Sequence, residues 1–487
     1  MIELLRKYKF TIILGILIIG YILYFSFFTI LRYRTLYASY YDLGIMNQVV
    51  FNTYRAFVEG DVSRIFEMTN TIGPEQIKRM AIHNDLLLGF LALFYFIFAD
   101  PSTLLVIQAI VVGLGAVFIY LIAVQVFSKN KRKNLLALAV AFSYLLYPPL
   151  QRANQFEFHS VTLATTFLLG MFYFWMKKRY VWMFFFLFLS LISKEQIAFT
   201  TVFFGFFAFM VSRKRNKELA VIMVSIGWFL FSFLVVIPYF RGSEHFAIEY
   251  FSDFGDSPIK VIIGILSNPI SVGTYIFSSG AFKYYNSLLG PVGFLSLLSP
   301  LHLLIAAPEF AINLLSKNPN MRNIIYHYTA VITPFIFISA IYGVNRLLNS
   351  KILKKHQNLF VPVILMYALF SAYKSGPLPF SQKPQIHPFK YPQKEAKEAI
   401  FWAKTLKDDH LKISTTGQLA PFFTNRRYFY NFSKYYYLSD YVIVRPKEIY
   451  EYPEKKVLTP VYEQLKKDYN YELIYKKDNF EVYKRRK

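Results

Sequence analysis

The sequence predicts a mainly α, polytopic membrane protein with a small extracytoplasmic α/β domain at its C-terminus. The 487 residues are 55% hydrophobic and 17% charged, and their mean hydropathy is +0.35. A soluble globular protein carries more charge and less apolar matter. The formal charge of +25 is concentrated in short basic clusters beside apolar runs, which is typical of membrane topology and of attraction to anionic lipids. We therefore expect membrane lipids, and no nucleic acid, among the partners.

The apolar runs predict the spans and their direction. The run 10–30 follows a basic start, has about the 20 residues that a span needs, and is longer than a signal-peptide core. We expect it to be a retained first span with the N-terminus in the cytoplasm of a plasma-membrane protein. Basic clusters at 129–133, 177–179, 213–217 and 346–355 belong to the cytoplasm by the positive-inside rule. Further apolar runs lie at 103–127, 135–149, 160–176, 180–193, 197–211, 219–240, 325–347 and 358–373.

Two stretches leave the number of spans open. The run 86–99 is short for a span. If the run 103–127 leads inward to the cytoplasmic cluster at 129–133, the chain must still be outside before it, so 86–99 does not cross the membrane. The runs 285–299 and 301–316 are interrupted by Pro291, Pro300 and Pro308, so they form either a crossing pair or a broken pair. The prediction is therefore nine or eleven spans with the C-terminus outside.

The domain organisation follows from this topology. Residues 1–373 form the membrane domain with an extracytoplasmic loop at 31–102, and residues 374–487 form the soluble domain. In the soluble domain we expect helices at 393–407 and near 459–469, with strands at 412–415 and 441–444. The chain has no Cys, so any metal must use oxygen or His ligands.

Polar residues gather on the predicted extracytoplasmic side. They are Asp42, Asn47 and Gln48; His83, Asn84 and Asp85; Arg152, Glu157 and His159; Lys194 and Glu195; Arg241, Glu244 and His245; Glu309; and Arg322 and His327. Such a group at one membrane surface predicts a site for a lipid-linked polar substrate, because the headgroup lies there while the acyl chain stays among the helices.

Each element of this group also has a structural interpretation. Asp42 fits the N-cap of the amphipathic helix that follows it. The run His83–Asp85 resembles a helix start, and Lys194 with Glu195 fits an interfacial pair that snorkels to the membrane surface. The structural interpretation is weaker for Glu157, because aromatic residues flank it and an idle carboxylate there would be costly.

In order, these motifs resemble a known family of multi-span membrane proteins, domain of unknown function 2079, which is related to the GT-C-type glycosyltransferases. The resemblance rests on YDLGIMNQ after the first span, IHND before an apolar helix, YPPL followed by EFH, SKEQ at the start of a span, YHYTAVITPFIFISAIYG late in the chain, and RRYFYNFSKYYYLSDYVIVRP in the tail. It covers most of the chain.

The resemblance implies a GT-C-like helical bundle and a polyprenyl-phosphate sugar donor, with an unknown glycan, lipid or protein as acceptor. Asp42 matches the Asp of the first extracytoplasmic loop and is the candidate general base, with Glu157 as second choice. The expected substrate-binding residues are His83, Arg152, His159, Lys194, Glu195, Arg241, Arg322 and His327; among them the cations would face the leaving phosphate. Gln196 stands where the family commonly has an acid, which weakens any metal role at that loop.

Two questions stay open at this point. A divalent cation, Mg²⁺ or Mn²⁺, would have Asp42, Glu157 and His159 as candidate ligands, although their spacing is not diagnostic. The alternative function is a transporter or flippase of a lipid-linked or anionic solute. We rank it second because transporters place their sites near the bilayer midplane, whereas the ionisable residues here stand at loop edges. A purely structural assembly protein ranks third, since it gives these charges no role.

Overall fold

Long apolar helices dominate the computed structural model, which describes residues 2–243, 246–451 and 455–486. Four helical segments in these ranges are long and apolar enough to cross a membrane: Tyr8–Arg34, Pro101–Val126, Asn216–Arg241 and Leu353–Ser375. Two bent helix pairs raise the number to six if each pair counts as one span: Lys133–Leu145 with Pro148–Phe156, and Ile259–Ser267 with Pro269–Ile276. The expected polytopic helical architecture is confirmed.

Several predicted spans are short helices in the structure. The shorter apolar helices are Leu87–Phe96, Ser160–Met176, Tyr180–Leu191, Ile197–Val211, Pro300–Leu315 and Thr333–Leu348. The total of nine or eleven spans requires most of them to cross, and it stays a prediction. The remaining α-helices among the described residues are Ile45–Glu59, Ser279–Leu289, His387–Lys390, Ala396–Thr405, Ala420–Phe423, Pro446–Glu451 and Lys455–Lys467.

Proline breaks one of the runs that the sequence presents as continuous. The run 135–149 bends by 43° between the helices Lys133–Leu145 and Pro148–Phe156. The second helix begins with Pro148 and Pro149, which have no backbone N–H and therefore start a helix rather than continue one. The bend brings the end of this second helix, and the loop that carries Glu157 and His159, to the loop 31–102.

Close packing between helices is visible at Gly115. The Tyr144 hydroxyl donates to the carbonyl of Val112 at 3.0 Å, so the tyrosine ring crosses from Lys133–Leu145 to Pro101–Val126. A Cβ atom on Gly115 would lie 2.2 Å from that hydroxyl. Glycine therefore permits the contact, since any larger residue would have to displace the Tyr144 hydroxyl.

The first loop is folded and not merely a connection. A π-helical turn at Tyr40–Gly44 leads into the helix Ile45–Glu59. The antiparallel strands β1 (Glu67–Thr69) and β2 (Gln76–Lys78) follow. The helix is buried on all sides from Ile45 to Thr53, including the polar Asn47 and Asn52, whereas Phe57 of the predicted apolar face is exposed. Its burial is therefore wider than the one-sided pattern that its apolar periodicity predicts.

A five-stranded sheet forms the centre of the C-terminal region. It contains β3 (Ile413–Thr415), β4 (Phe429–Asn431), β5 (Tyr441–Val444), β6 (Tyr471–Lys477) and β7 (Phe480–Arg485), in the order β4-β3-β5-β7-β6. Strand β3 is parallel to both neighbours, with Ile413 opposite Phe429 and Tyr441, whereas β7 is antiparallel to β5 and β6. The structure contains the two expected strands and the two expected helices, while β4, β6 and β7 were not predicted.

The C-terminal region packs directly on the first loop. Tyr40 of the loop and Phe429 of β4 belong to one buried apolar cluster, with ring centroids 5.1 Å apart. The amide nitrogen of Asn47 donates to Thr424 Oγ1 at 2.8 Å, and Gln48 donates to the carbonyl of Arg427 at 3.0 Å. Asn47 and Gln48 therefore hold the C-terminal region against the loop, which explains why both amides are buried.

Candidate functional site

Asp42 faces a histidine and does not cap a helix. It lies inside the turn Tyr40–Gly44, whose N-cap residue is Ser39. Its Oδ1 atom lies 2.9 Å from Nε2 of His159, and about a quarter of its side chain (25%) is exposed. The capping interpretation is therefore wrong. A partly exposed carboxylate with one oxygen bound to an imidazole N–H is oriented and still accessible.

Glu157 holds the turn that carries Asp42. Its carboxylate accepts the backbone N–H of Leu43 at 2.8 Å and that of Ser39 at 3.1 Å. Burial, followed by the negative charge of Asp42, raises the pKa of Glu157 to about 8, although these N–H groups and Arg32 oppose the shift. Both oxygens are engaged by the backbone, so the structure favours a positioning role for Glu157 and leaves Asp42 as the accessible carboxylate.

His159 and His327 form a stacked pair behind Asp42. Their ring centroids are 3.7 Å apart, and Phe156 stacks on His159 at 5.8 Å. Neither Nδ1 atom has a hydrogen-bond partner in the part of the chain that the structure describes. Burial, and then the neighbouring His159, hold the pKa of His327 well below its ordinary value. His327 is therefore a neutral ring that packs against His159.

Glu195 is buried and ties the SKEQ segment to the first loop. One oxygen lies 2.7 Å from Nδ1 of His83, and the other accepts the backbone N–H of Asn84 at 2.9 Å. Burial, and then the positive charge of Lys194, lower the pKa of His83 to about 3, so His83 donates as a neutral ring. The snorkelling interpretation is wrong for Glu195, whose side chain is only 2% exposed.

The neighbouring Asp85 has a structural role. It pairs with Arg79, with 3.1 Å between Oδ1 and Nε, and both side chains are buried. Asn84 donates from its side chain to Ser232 Oγ at 2.8 Å, which links the loop to the helical segment Asn216–Arg241. Asn84 and Asp85 thus fix the loop against the helices.

A cavity of about 350 Å³ opens beside this anchor. Its polar end is formed by His83, Lys194, Glu195 and Tyr328. Its walls are apolar and come from Phe199, Phe229, Phe233, Ile248, Phe251, Val261, Ile262, Ile265, Ala311, Ile312, Leu315 and Met321. Many of these residues belong to 246–276, where the helices Ile259–Ser267 and Pro269–Ile276 meet at 88°. The cavity therefore combines a polar end that contains a cation, Lys194, with an apolar lining.

Tyr328 connects the cavity to Asp42. Its ring centroid lies 4.4 Å from that of His327, which in turn stacks on His159. Burial, and then the charge of Asp42, raise the pKa of Tyr328 to about 12. The rings of Tyr328 and His327 therefore lie between the polar end of the cavity and the Asp42–His159 pair. Tyr328 was not among the expected site residues, although its position next to His327 in the YHYT segment could have indicated it.

The predicted cations separate into one cavity residue and three that lie elsewhere. Lys194 lines the cavity, and its amino group makes no hydrogen bond or ion pair with the described part of the chain. Arg152 donates to the carbonyl of Ser375 at 2.8 Å, and Arg322 to that of Leu314 at 2.8 Å. These two arginines bind carbonyls at helix C-terminal ends. Arg241 donates to Ser243 Oγ at 3.1 Å.

Three further candidates complete the set of expected residues. Glu309 accepts a hydrogen bond from the Gln196 amide at 2.6 Å and is buried. Glu244 and His245 lie outside the described residues.

The candidate metal ligands are already engaged with one another and with the backbone. One Asp42 oxygen faces His159, and Glu157 receives backbone N–H groups. Among the described residues, the group of three acidic or His side chains with ligand atoms within 4.8 Å of one another is Asp408, Asp409 and His410, which lies elsewhere on the surface. The residues around Asp42 fit a divalent cation poorly, and a bound Mg²⁺ or Mn²⁺ stays a prediction.

The architecture as a whole is similar to that of GT-C-type membrane glycosyltransferases. It is similar to the crystal structure of ArnT from Cupriavidus metallidurans bound to undecaprenyl phosphate, with a TM-score of 0.57 and 12% identity over 96% of this chain and 97% of that chain. It is less similar to the Archaeoglobus fulgidus oligosaccharyltransferase in the apo form, with a TM-score of 0.46 and 13% identity over 91% of this chain and 70% of that chain. The same enzyme, AglB, in complex with an inhibitory peptide and a dolichol-phosphate gives a TM-score of 0.43 at 13% identity, with the same coverage of each chain.

The likeness to ArnT defines the class of the protein as a membrane protein with the GT-C fold. No curated protein matches the sequence. The chain belongs to the family of predicted membrane proteins DUF2079, whose model matches residues 32–482.

Proposed function

We propose that the protein is a GT-C-type glycosyltransferase that moves a sugar from a polyprenyl-phosphate lipid to an extracytoplasmic acceptor. The observation that carries the proposal is the shape and chemistry of the cavity at Lys194. One end is polar and is connected to the Asp42–His159 pair through the rings of Tyr328 and His327, and the rest is apolar. The proposed orientation places this end and the C-terminal region outside the cell and the N-terminus in the cytoplasm.

The donor lipid fits the cavity in one orientation, with its phosphate at the polar end and its prenyl chain along the apolar walls. The prenyl chain would lie between the apolar walls, where its transfer from water is favourable. The phosphate would lie at Lys194, whose amino group has no protein partner in the described ranges. A bond between an ammonium and a phosphate oxygen is charge-assisted and strong in such a partly desolvated site. ArnT, which shares the fold, was crystallised bound to undecaprenyl phosphate, and this supports the choice of ligand.

The chemistry requires one base and one stabilised leaving group. An oxygen of the acceptor attacks the anomeric carbon, and the bond from that carbon to the phosphate oxygen breaks through an oxocarbenium-like state. The acceptor proton passes to the free oxygen of Asp42 while the lipid phosphate leaves with a second negative charge beside Lys194. The N–H of His159 orients the carboxylate, and Glu157 fixes the turn that carries it.

Binding of the lipid product tests the donor site without knowledge of the sugar. Purified protein in detergent is titrated with undecaprenyl phosphate and, separately, with undecaprenol, which has the same chain and no phosphate. Loss of one hydrogen bond to a charged group costs about 1.5–3 kcal/mol, so Lys194→Ala should weaken binding of the phosphate about tenfold or more. It should leave binding of the alcohol nearly unchanged.

The matched control is Lys177→Ala, an exposed lysine in the cluster 177–179, at the opposite end of the helix Tyr180–Leu191 from Lys194. It should bind undecaprenyl phosphate like the parent. Equal affinity of the parent and Lys194→Ala for undecaprenyl phosphate would remove Lys194 from the donor site. If the parent binds undecaprenyl phosphate and undecaprenol with equal affinity, the cavity does not recognise the lipid phosphate.

A further inference from the structure

A polar trough lies at the junction of the first loop and the C-terminal sheet. It consists of two adjoining cavities of about 280 and 60 Å³, and Gln418 and Glu448 line both of them. The larger cavity is also lined by Arg445 and Lys447, and the smaller one by Tyr41 and Asn431. We call this feature the strand-end trough, and its six defining residues are Tyr41, Gln418, Asn431, Arg445, Lys447 and Glu448.

The topology of the sheet creates this opening. Strand β3 lies between β4 and β5 and is parallel to both, so the chain leaves β3 to one side and later returns to the other. Ligands of open α/β sheets bind in the crevice outside the carboxyl ends of the strands at such a reversal. Gln418, Asn431 and Arg445 stand at the carboxyl ends of β3, β4 and β5 respectively. A Cβ atom on Gly417 would lie 3.2 Å from Glu448 Oε1, so glycine keeps the trough open.

The lining offers hydrogen-bond donors and acceptors with balanced charge. Arg445 is 2% exposed and donates to Gln418 Oε1 and, at 3.1 Å, to Gln393 Oε1. Its Nε atom has no partner among the described residues. Glu448 accepts the backbone N–H of Gln418 at 2.9 Å. Two cations, Arg445 and Lys447, and two acids, Glu448 and Glu451, line the larger cavity. Arg445 is also ion-paired with Glu395, with 3.3 Å between Nη2 and Oε2.

A neutral polyhydroxylated ligand suits this lining better than an anion does. Each hydroxyl group both donates and accepts, so it can satisfy an amide or guanidinium N–H and a carboxylate at once. A phosphate could use the arginine and the lysine but would be repelled by the two acids. The exposed ring of Tyr41, with 42% of the residue accessible, adds a flat apolar face of the kind that packs against a sugar ring.

The smaller cavity of the trough reaches the turn that carries the candidate base. Ser39 and Tyr41 line the smaller cavity, and Asp42 is the next residue of the same turn. The backbone N–H of Ser39 binds Glu157, which fixes that turn. The Tyr41 hydroxyl accepts from the Asn431 amide at 3.3 Å, so the wall of the trough joins the Asp42 turn to the sheet.

We infer that the strand-end trough binds the acceptor and that the acceptor is a carbohydrate, one of whose hydroxyl groups is presented to Asp42. This inference rests on the proposed function and names the acceptor class that the function leaves open. The donor would then enter from the cavity at Lys194 and the acceptor from the sheet side, so that the two substrates approach Asp42 from different sides.

Blocking the trough with a side-chain adduct tests the inference, because the native chain has no Cys and each introduced thiol is unique. Gln418→Cys and Asn431→Cys place a thiol in the trough. Glu472→Cys, on the exposed face of β6 at the opposite edge of the sheet, is the matched control. Each full-length variant is used unmodified, with a small methylthio adduct, or with a bulky maleimide adduct.

The assay uses the envelope of cells that lack the protein, because this envelope contains both the natural lipid-linked sugar and the natural acceptor. Purified protein is added, and the glycosylated product is identified and quantified by mass spectrometry. Binding of undecaprenyl phosphate is measured on the same samples. The bulky adduct at Gln418→Cys or Asn431→Cys should reduce product formation about tenfold or more relative to the unmodified variant, with lipid binding unchanged. The adduct at Glu472→Cys should change neither.

Each outcome decides one of the two proposals. If the unmodified parent transfers no sugar from the lipid, the proposed function fails. If the parent transfers sugar and the bulky adducts in the trough leave the rate unchanged, the trough is not the acceptor site. A product with the sugar on a peptide or a lipid, and not on a carbohydrate hydroxyl, would refute the acceptor class.

Discussion

Replacing Asp42 by asparagine removes the proposed base while keeping almost every contact of the side chain. The amide side chain has the same shape as the carboxylate, and its oxygen can still accept the N–H of His159, which lies 2.9 Å from Asp42 Oδ1 in the parent. Asp42 does not cap the following helix, so no cap energy is lost. We therefore expect the fold and the binding of undecaprenyl phosphate to survive. Transfer should fall at least about a hundredfold, because general-base assistance contributes roughly a hundredfold to ten-thousandfold.

The size of the expected rate loss distinguishes an effect on catalysis from an effect on stability. A hundredfold loss of rate is about 2.7 kcal/mol of barrier, whereas the exchange of one hydrogen-bond acceptor for a similar one changes the free energy of unfolding by about 1 kcal/mol or less. The substitution also removes the negative charge that raises the pKa of Glu157. The pKa of Glu157 should therefore fall in Asp42→Asn, and this shift would show that the two carboxyl groups are adjacent even where activity is lost.

Single-turnover transfer from the natural lipid donor measures the chemical step. The matched control is Asp478→Asn, which removes one acid from an exposed turn where the backbone φ is +48°, a conformation that Asn tolerates as well as Asp. The control should transfer at the parent rate. If Asp42→Asn also transfers at the parent rate, Asp42 is not the base and Glu157→Gln becomes the next test. If neither carboxylate matters, the cavity is better explained by a transporter of a lipid-linked solute.

The remaining predictions concern positioning, pH and topology. His159→Leu should lower the transfer rate about tenfold or more, because it loses the N–H that orients Asp42. His159→Gln should restore part of the rate because it supplies an N–H. Equal rates for the two variants would refute the orienting role of His159. The folded protein holds the Glu157 proton more tightly than the unfolded chain does, so the free energy of unfolding should fall as pH rises from about 4.5 to about 8. In thermal unfolding, Glu157→Gln should flatten this pH dependence. An unchanged slope would contradict that assignment. In intact cells, an impermeant thiol reagent should label Lys434→Cys and not Lys131→Cys, and the reverse pattern would overturn the orientation.

The sequence determined the class of the protein and much of its layout. An unsatisfied backbone polar group is costly in lipid, so apolar runs such as 103–127 and 219–240 must form helices. They correspond to the helical segments Pro101–Val126 and Asn216–Arg241. The expected strands at 412–415 and 441–444 are present as β3 and β5, because the β-branched residues within them favour strands.

The sequence could also identify which residues were candidates, but it could not assign their roles. Asp42 precedes an amphipathic helix, which is the pattern of an N-cap, and local spacing offers no sign that its partner is His159, 117 residues later. In the same way, Lys194 and Glu195 are neighbours in sequence, yet one lines a cavity and the other is buried against His83. Arg152 and Arg322 have the charge expected of phosphate ligands and are used instead at helix ends.

Only the tertiary structure decided these roles, and the physical reason is the range of the interactions involved. Hydrophobic periodicity and helix propensity act over a few residues, so a sequence displays them directly. The environment of a carboxylate depends on burial and on charges within a few ångströms, and those neighbours come from distant parts of the chain. Glu157 and Asp42 have the same functional group, but backbone N–H donors occupy the first whereas a histidine orients the second, and folding alone brings those partners to them.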